Sequence, residues 1–169
     1  MIRPAVVLLG FFTLLTGLAY PLSLTLLGSS TLAPGAVGRV FDGPDVFWSR
    51  PSAGSALSSS GSNLGPTNPA FLDAVKSRVA AVRKAHPGHD EPVPADLVTT
   101  SASGLDPHLS LAGAKYQVDR VAQARGLPRE QLLGLIDSLS EPRLLGLFGE
   151  PRVNVVLLNR ALEAMSPHP

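Results

Sequence analysis

Residues 5–27 form an uninterrupted apolar segment that divides the chain into two parts of different character. The segment reads AVVLLGFFTLLTGLAYPLSLTLL, and the phenol of Tyr20 is its one ionisable group. A helix of this length rises about 35 Å, which is enough to cross the hydrocarbon core of a bilayer. Signal peptides use apolar regions of only about 7 to 15 residues, so the length favours a retained transmembrane helix over a cleaved signal peptide.

The few charges around the segment predict its direction. Arg3 and the terminal amine precede it, whereas Arg39, Asp42 and Asp45 are the first charges after it. Positive charge is enriched on the cytoplasmic side of membrane helices. The sequence therefore predicts a cytoplasmic N-terminus at residues 1–4 and places the rest of the chain outside the cytoplasm.

Two residue types inside the segment have structural consequences. Pro21 removes a backbone donor, so it should either kink the helix or mark its exit from the membrane. Gly10 and Gly17 are small enough to allow another helix to approach closely.

The part after the segment has about the length of one domain, and its composition excludes several functions. The chain has 14 Lys and Arg, of which Arg3 precedes the segment, and 13 Asp and Glu, so this part is close to neutral. It lacks the basic surface that binding to nucleic acid requires. The absence of cysteine excludes disulfides, thiolate catalysis and cysteine-ligated zinc.

The periodicity of apolar residues predicts short strands among helices. After a connector at residues 28–38, one helix starts at Asn68 and Pro69, a second ends at Gly126, and a third covers about 128–139. The predicted inward residues are Phe71, Val75, Val79 and Val82 in the first helix, Leu111, Ala114, Val118, Val121 and Ala122 in the second, and Leu132, Leu135, Ile136 and Leu139 in the third.

Strands are predicted at residues 40–41, 46–48, 97–98 and 153–158. Asn159 should then cap a last helix that ends near Met165. The predicted fold is a single N-terminal transmembrane helix followed by one small mixed α+β extracytoplasmic domain at residues 39–169.

Two loops are unusually rich in small polar residues. The first, GSNLGPTNP at residues 61–69, precedes a helix, and the second, TTSASGLDPH, occupies residues 99–108. Gly61 and Gly65 do not form a phosphate-binding P-loop, because Pro66 stands where that motif requires lysine.

Histidines offer an alternative function. His86 and His89 lie beside Asp90 and Glu91 in a proline-rich loop, and His108 follows Asp106 by two residues. Solvated loop histidines are the simpler interpretation, since no third ligand can be identified and no G-x-S-x-G motif accompanies the serines. The alternative to a binding subunit is a membrane-anchored extracytoplasmic hydrolase or metal-binding protein.

Several of these segments together resemble the C subunit of the Kdp potassium-transporting P-type ATPase. The likeness is collinear and runs from the N-terminal segment to the last helix. Its motifs are FWSRPSA at 47–53, GSNLGPTNP at 61–69, DLVTTSASGLDPHLS at 96–110, the helix with Gln117, Arg120, Val121 and Ala122 followed by ARGL at 124–127, and GEPRVNVVLLN at 149–159.

This resemblance implies a non-catalytic, single-span accessory subunit in a cell-membrane complex for high-affinity potassium uptake. Its implied partners are a channel-like potassium-translocating subunit, a P-type subunit that hydrolyses ATP and a small single-span subunit. The chain lacks the DKTG phosphorylation motif. Hydrolysis therefore belongs to a partner, and the family is described as a catalytic chaperone for ATP binding by that partner.

The resemblance also implies a possible nucleotide contact. The segment LSLAGAKYQ matches the family's proposed signature, with Ser110 and Gln117 as the residues near ATP. On a continuous helix, these two side chains would lie about 20° apart. An extracytoplasmic domain does not meet cytoplasmic ATP, however, and the segment departs from the LSGGQ pattern. No tightly bound cofactor and no metal site is expected.

The two small-residue loops then acquire a hypothetical role. Uncharged loops expose amides, hydroxyls and carbonyls near a potassium pathway without repelling or trapping the ion. The residues expected to face the translocating partner are Asn63, Asn68, Thr99, Thr100 and Ser101.

Overall fold

The computed structural model describes residues 2–31, 40–52 and 59–165. The chain divides into two compact units, Met1–Ala36 and Val37–Pro169. The predicted connector at 28–38 is helical up to Thr31, and its remainder lies outside the described residues.

The N-terminal unit is helical from one end of its described part to the other. Helix α1 covers Ile2–Leu14, a five-residue π-helical turn covers Leu15–Ala19, and helix α2 covers Tyr20–Thr31. Its apolar part, Ile2–Leu27, has 26 residues and is long enough to cross a membrane.

Pro21 does not end this helix. In a regular helix its missing N–H would leave one carbonyl of the preceding turn without a donor. The π-helical turn lies directly before it, and the N–H of Tyr20 donates to the carbonyl of Leu15, five residues earlier. The backbone therefore accommodates the proline through one wide turn, and the helix continues.

Helix α3 covers Pro69–Ala85 and begins as the sequence predicts. The side chain of Asn68 accepts a hydrogen bond from the N–H of Ala70 at 2.9 Å, and Pro69 occupies the first turn. Val82 is buried, and Val75 and Val79 pack against the core.

The second predicted helix is two helices. Helix α4 covers Leu111–Lys115 and helix α5 covers Val118–Arg125, with Tyr116 and Gln117 between them. The apolar residues still face inward as predicted, and Gly126 ends α5 in the left-handed conformation with φ 65°. Helix α6, Arg129–Ser138, buries Leu132 and Ile136 against this pair.

Three short antiparallel strands form the sheet. They are β1 (His108–Ser110), β2 (Ser140–Glu141) and β3 (Arg152–Asn154), and β3 lies in the middle. Leu109 pairs with Val153 on one side of β3, and both side chains are buried.

The strand predictions were largely wrong. Residues 40–41 and 46–48 are not in strands, and Leu97 belongs to a 3₁₀ turn at Ala95–Leu97. The predicted strand 153–158 ends at Asn154, because the side chain of Asn154 accepts hydrogen bonds from the N–H groups of Val156 and Leu157 and so starts a helix. That helix, α7, covers Val155–Met165. A buried helix and a buried strand show the same apolar density over six residues.

Asn159 does not cap a helix, as the sequence had suggested, but lies inside α7. Its side chain is 1% exposed, and its Oδ1 and Nδ2 bond the N–H and the carbonyl of Phe47 at 2.8 and 2.9 Å. Phe47 itself is fully buried. The amide of Asn159 thus takes the place of a neighbouring strand for this stretch of irregular backbone.

Replacing Asn159 with alanine should leave both backbone groups of Phe47 buried without partners. We expect Asn159→Ala to lower the free energy of unfolding by about 2 to 4 kcal/mol, a large part of a small domain's stability. Urea unfolding followed by the fluorescence of Trp48, the chain's single tryptophan, measures this change.

The matched control is Gln131→Ala, which removes an amide from an exposed position of α6. It should change stability by less than about 0.5 kcal/mol. Equal effects of the two variants would contradict the structural role given to Asn159.

Candidate functional site

Residues 43–48 form neither helix nor strand, and we call them the irregular segment; Phe47 is its one fully buried residue. Arg120 of α5 donates from Nη1 to the carbonyls of Gly43 and Pro44, at 2.9 and 2.6 Å, and from Nη2 to that of Val46, at 2.9 Å. Its guanidinium carbon also lies 4.5 Å from the centre of the Trp48 ring. One cation thus fixes the first half of the segment.

Gln117 fixes its other end. The Oε1 of Gln117 accepts from the N–H of Trp48 at 2.7 Å, and its Nε2 donates to the carbonyl of the same residue at 3.3 Å. The same Oε1 accepts from Arg120, and the same Nε2 donates to Gly113. The Gln117 side chain is fully buried, and both ends of its amide are used inside the domain.

His86 completes this polar centre and is held in one tautomer. Its Nδ1 donates to the carbonyl of Val82 at 2.7 Å, so its Nε2 is free to accept from Nε of Arg120, at 3.0 Å. Burial, with the nearby Arg120 charge, lowers the pKa of His86. Burial also lowers the pKa of Arg120, to about 10, which leaves the guanidinium charged at neutral pH.

Ser110 has a different environment. Its hydroxyl caps α4 by accepting from the N–H of Gly113 at 2.9 Å. A hollow of about 260 Å³ beside it is lined by three carboxylates, two arginines and a histidine, from Asp96, Asp106, Glu150, Arg50, Arg152 and His108. The residues lining it do not include Gln117. Ser110 is extended and lies before α4, and Gln117 lies after it, so the two residues do not share the continuous helix expected of them. Their nucleotide role stays a prediction.

The two small-residue loops do meet in the structure. We call residues 59–68 and 99–106 the two-loop surface. The hydroxyl of Thr100 donates to that of Ser62 at 3.1 Å, and the hydroxyl of Ser59 donates to the carbonyl of Ser103 at 2.9 Å. Gly61 lies so close to the other loop that a Cβ there would be 2.8 Å from the carbonyl oxygen of Ala102.

Two further contacts hold the second loop to the rest of the domain. Arg50 pairs with Asp106 at 3.1 Å, and the hydroxyl of Ser52 donates to the carbonyl of Gly104 at 2.8 Å. Asp106 is the one charged residue in the two-loop surface, and this ion pair neutralises it. The surface therefore offers hydroxyls, amides and carbonyls with no net charge.

The five residues predicted to dock a partner differ in what they can offer. Asn63 is exposed, with a left-handed φ of 53°, and Thr99 and Thr100 are half-buried. Ser101 is buried and accepts from the N–H of Gly104, and Asn68 uses its oxygen to cap α3. Ser101 and Asn68 therefore help to position the surface, because their side chains are already used inside the domain.

Sequence reasoning missed the residues that hold this surface in place. Nothing in the local pattern pairs Arg50 with Asp106, which are 56 positions apart. Gly61 gave the one usable signal, because a glycine in a polar loop often marks the close approach of two backbones.

The interpretation as solvated loop histidines is wrong for His86, which is 2% exposed, and the other two described histidines have partners that account for their positions. His89 contacts Asp119 at 3.1 Å, and His108 lies between Asp106 and Glu141, at 3.2 and 3.5 Å. Within residues 2–31, 40–52 and 59–165, no three histidine or carboxylate side chains are arranged to hold a metal ion. The alternative of a hydrolase or metal-binding protein gains no support from this arrangement.

Acidification should destabilise the domain through His86. The unfolded imidazole has a pKa of about 6.5, and the folded one is lower, so between these values the unfolded state binds more protons. The free energy of unfolding should therefore be unaffected by this group above about pH 6.5 and should fall as the pH drops through the window below it. Urea unfolding between about pH 8 and pH 5 measures this trend.

His86→Gln is the control, because its amide does not titrate and can still accept from Arg120. Its loss of stability between about pH 8 and pH 5 should be smaller than that of the unmodified chain. An identical loss in both proteins would contradict the role of His86.

Comparison with known proteins identifies the family. Residues 32–164 match the family model described as K+-transporting ATPase, c chain. The chain is 49% identical to the potassium-transporting ATPase KdpC subunit of Variovorax paradoxus (strain S110), over 97% of this chain and 96% of that protein. It is 50% identical to the KdpC subunit of Polaromonas naphthalenivorans (strain CJ2), over 99% and 96%.

The KdpC subunit of Sorangium cellulosum (strain So ce56) is 51% identical, over 96% of both chains. These likenesses cover the N-terminal helix as well as the folded domain. The chain therefore belongs to the KdpC family, the C chains of potassium-transporting ATPases.

Proposed function

We propose that this chain is a non-catalytic accessory subunit that docks its two-loop surface on the potassium-translocating subunit of the complex, beside the path by which the ion enters. The observation that carries the proposal is a surface of uncharged hydrogen-bonding groups, formed by two loops that are hydrogen-bonded to each other. Thr100 and Asn63 lie on it, and its single carboxylate is already paired with Arg50. Such a surface can approach an ion pathway without adding a field that repels or traps the cation.

The proposal includes a location. The helix Ile2–Leu27 anchors the chain in the cell membrane, and Arg3 keeps its N-terminus in the cytoplasm. The folded domain is then extracytoplasmic, on the side from which potassium is taken up. The partners are the channel-like subunit, the ATP-hydrolysing P-type subunit, a small single-span subunit and the lipid bilayer.

The proposed effect on ATP binding acts through assembly of the complex. Gln117 is fully buried and bonded to Trp48, and the hydroxyl of Ser110 is already used to cap α4. These features favour a structural role for both residues. The chain then supports ATP binding by holding its partners in a competent arrangement.

Substitution of Gly61 tests the two-loop surface. The added Cβ of Gly61→Ala would meet the backbone of Ala102 at 2.8 Å and push the two loops apart. We expect a several-fold loss of copurified partner subunits and of potassium-stimulated ATP hydrolysis, since a preorganised surface is lost.

Gly65→Ala is the matched control, because a Cβ at Gly65 meets nothing within 4 Å. Its effect on complex yield should be much the smaller of the two. Full yield and full activity of the Gly61→Ala complex would refute the proposed docking surface.

Asn63→Gly separates docking from folding. Glycine adopts the left-handed backbone of Asn63 without strain, so the variant removes only the exposed amide. The fluorescence melting curve should be unchanged, while affinity for the complex should fall by about fivefold, as expected for one lost hydrogen bond. Equal affinity of variant and unmodified chain would argue against a contact by Asn63.

Gln117→Leu distinguishes a structural glutamine from a nucleotide contact. Loss of the amide should lower the stability of the isolated chain in detergent by about 2 to 4 kcal/mol, because the N–H and carbonyl of Trp48 lose their partners. Unfolding by urea measures this loss. A direct ATP contact predicts the opposite pattern, with unchanged stability and a raised KM for ATP in the complex.

A further inference from the structure

Residues 144–148 lie in the connection between β2 and β3 and form an exposed apolar turn, which we call the apolar tip. Its large side chains are Leu144, Leu145, Leu147 and Phe148, which are 69, 83, 76 and 64% exposed. Gly146 is the remaining residue, so no polar side chain interrupts the patch. Four large apolar side chains exposed together are unusual on a folded domain and indicate an interaction site.

The backbone of the tip is well ordered by its own hydrogen bonds. The N–H of Leu144 donates to the carbonyl of Phe148 at 2.9 Å, and the N–H of Phe148 donates back to Leu144 at 3.0 Å. The N–H groups of Gly146 and Leu147 also bond within the loop. The apolar side chains are therefore presented by a preorganised turn.

Leu145 has a left-handed φ of 54°, which is costly for leucine and common for glycine or asparagine. The fold thus holds Leu145, the most exposed leucine among the described residues, in a strained conformation. An apolar, strained residue at the point of a turn gains nothing within this domain, which favours a role in binding.

The base of the tip is polar but electrically neutral. Arg143 pairs with Glu150 at 2.7 Å, and Arg152 pairs with Glu141 at 2.9 Å. Glu141 and Arg152 are also partners in the sheet, so the tip stands on paired strands. This arrangement of an apolar centre and a polar border resembles the anatomy of protein interfaces.

The charges around the apolar tip favour a protein, and not a lipid surface, as its partner. Helices that bind at a bilayer surface border their apolar face with Lys and Arg, which attract anionic headgroups. The tip has no Lys or Arg, and each arginine at its base is neutralised by a glutamate. The paired charges fit a partner whose rim is uncharged.

We propose that the apolar tip inserts into an apolar cleft with an uncharged rim on another subunit of the transport complex. This contact is separate from the two-loop surface and gives the domain a second point of attachment. The inference rests on the proposed function, in that it takes the partner from the same complex.

The test uses the whole complex, purified through a tag on this chain. Leu145→Asn with Leu147→Ser makes the tip polar, and asparagine is compatible with the backbone at residue 145. We expect about tenfold less copurified partner, as for loss of an interface hot spot, with an unchanged melting curve of Trp48 fluorescence. Leu72→Ser, at an exposed leucine of α3, is the control and should change the yield by less than about twofold.

Photocrosslinking identifies what the tip contacts. Phe148→p-benzoylphenylalanine in the assembled complex should give an adduct with one other subunit, identified by mass, and Leu72→p-benzoylphenylalanine should not. An adduct only with lipid or with a second copy of this chain would overturn the inference, as would full copurification of the double variant.

The two proposals fail in different ways. If the unmodified chain brings down no other subunit, the proposed function fails and takes this inference with it. If the unmodified chain and the double variant bring down the same amount, only the inference about the tip fails.

Discussion

Buried side chains that replace a missing strand partner hold the irregular segment, and the rest of the domain is arranged around it. Residues 43–48 have no neighbouring strand, so the backbone groups that are shielded from water around Phe47 need partners from elsewhere. Gln117 and Arg120 supply them from the start of α5, and Asn159 supplies them from α7, which is far away in the chain. Because an unpaired buried peptide group costs about 1 to 3 kcal/mol, these three side chains decide whether this backbone can be buried at all.

The same arrangement positions the candidate docking surface. The chain leaves the irregular segment at Trp48 and reaches Arg50 and Ser52, which contact the second small-residue loop. That loop in turn contacts the first one through Thr100 and Gly61. The polar centre around Arg120 thus supports the two-loop surface. A substitution in either one should alter the structure of the other.

Helices with strong local signals were predictable, and elements defined by distant contacts were not. Asn68 with Pro69 marks a helix start, and Gly126 a helix end, because caps act within one turn of backbone. The prediction of a strand at 153–158 was wrong, since a run of six mostly apolar residues fits a buried helix as well as a strand. Only the Asn154 side chain, which starts the helix, decides between the two. The resemblance to the KdpC family was confirmed, because several motifs in fixed order specify a family far better than any one of them specifies a structure.

The site shows the same limit. The sequence shows that both loops are rich in small polar residues. It does not show that the loops contact each other, because this contact depends on Gly61 and Ala102, which are 41 positions apart. The break at Tyr116 and Gln117 was equally hidden, since the apolar spacing continues through it.

The wide turn at Leu15–Ala19 has a consequence for the membrane anchor as a whole. One additional residue in a turn rotates all that follows by about 100° relative to an uninterrupted helix. Side chains that follow the turn are therefore out of phase with those that precede it. In a helix that is long enough to cross a membrane, the two halves thus present different residues to any one side.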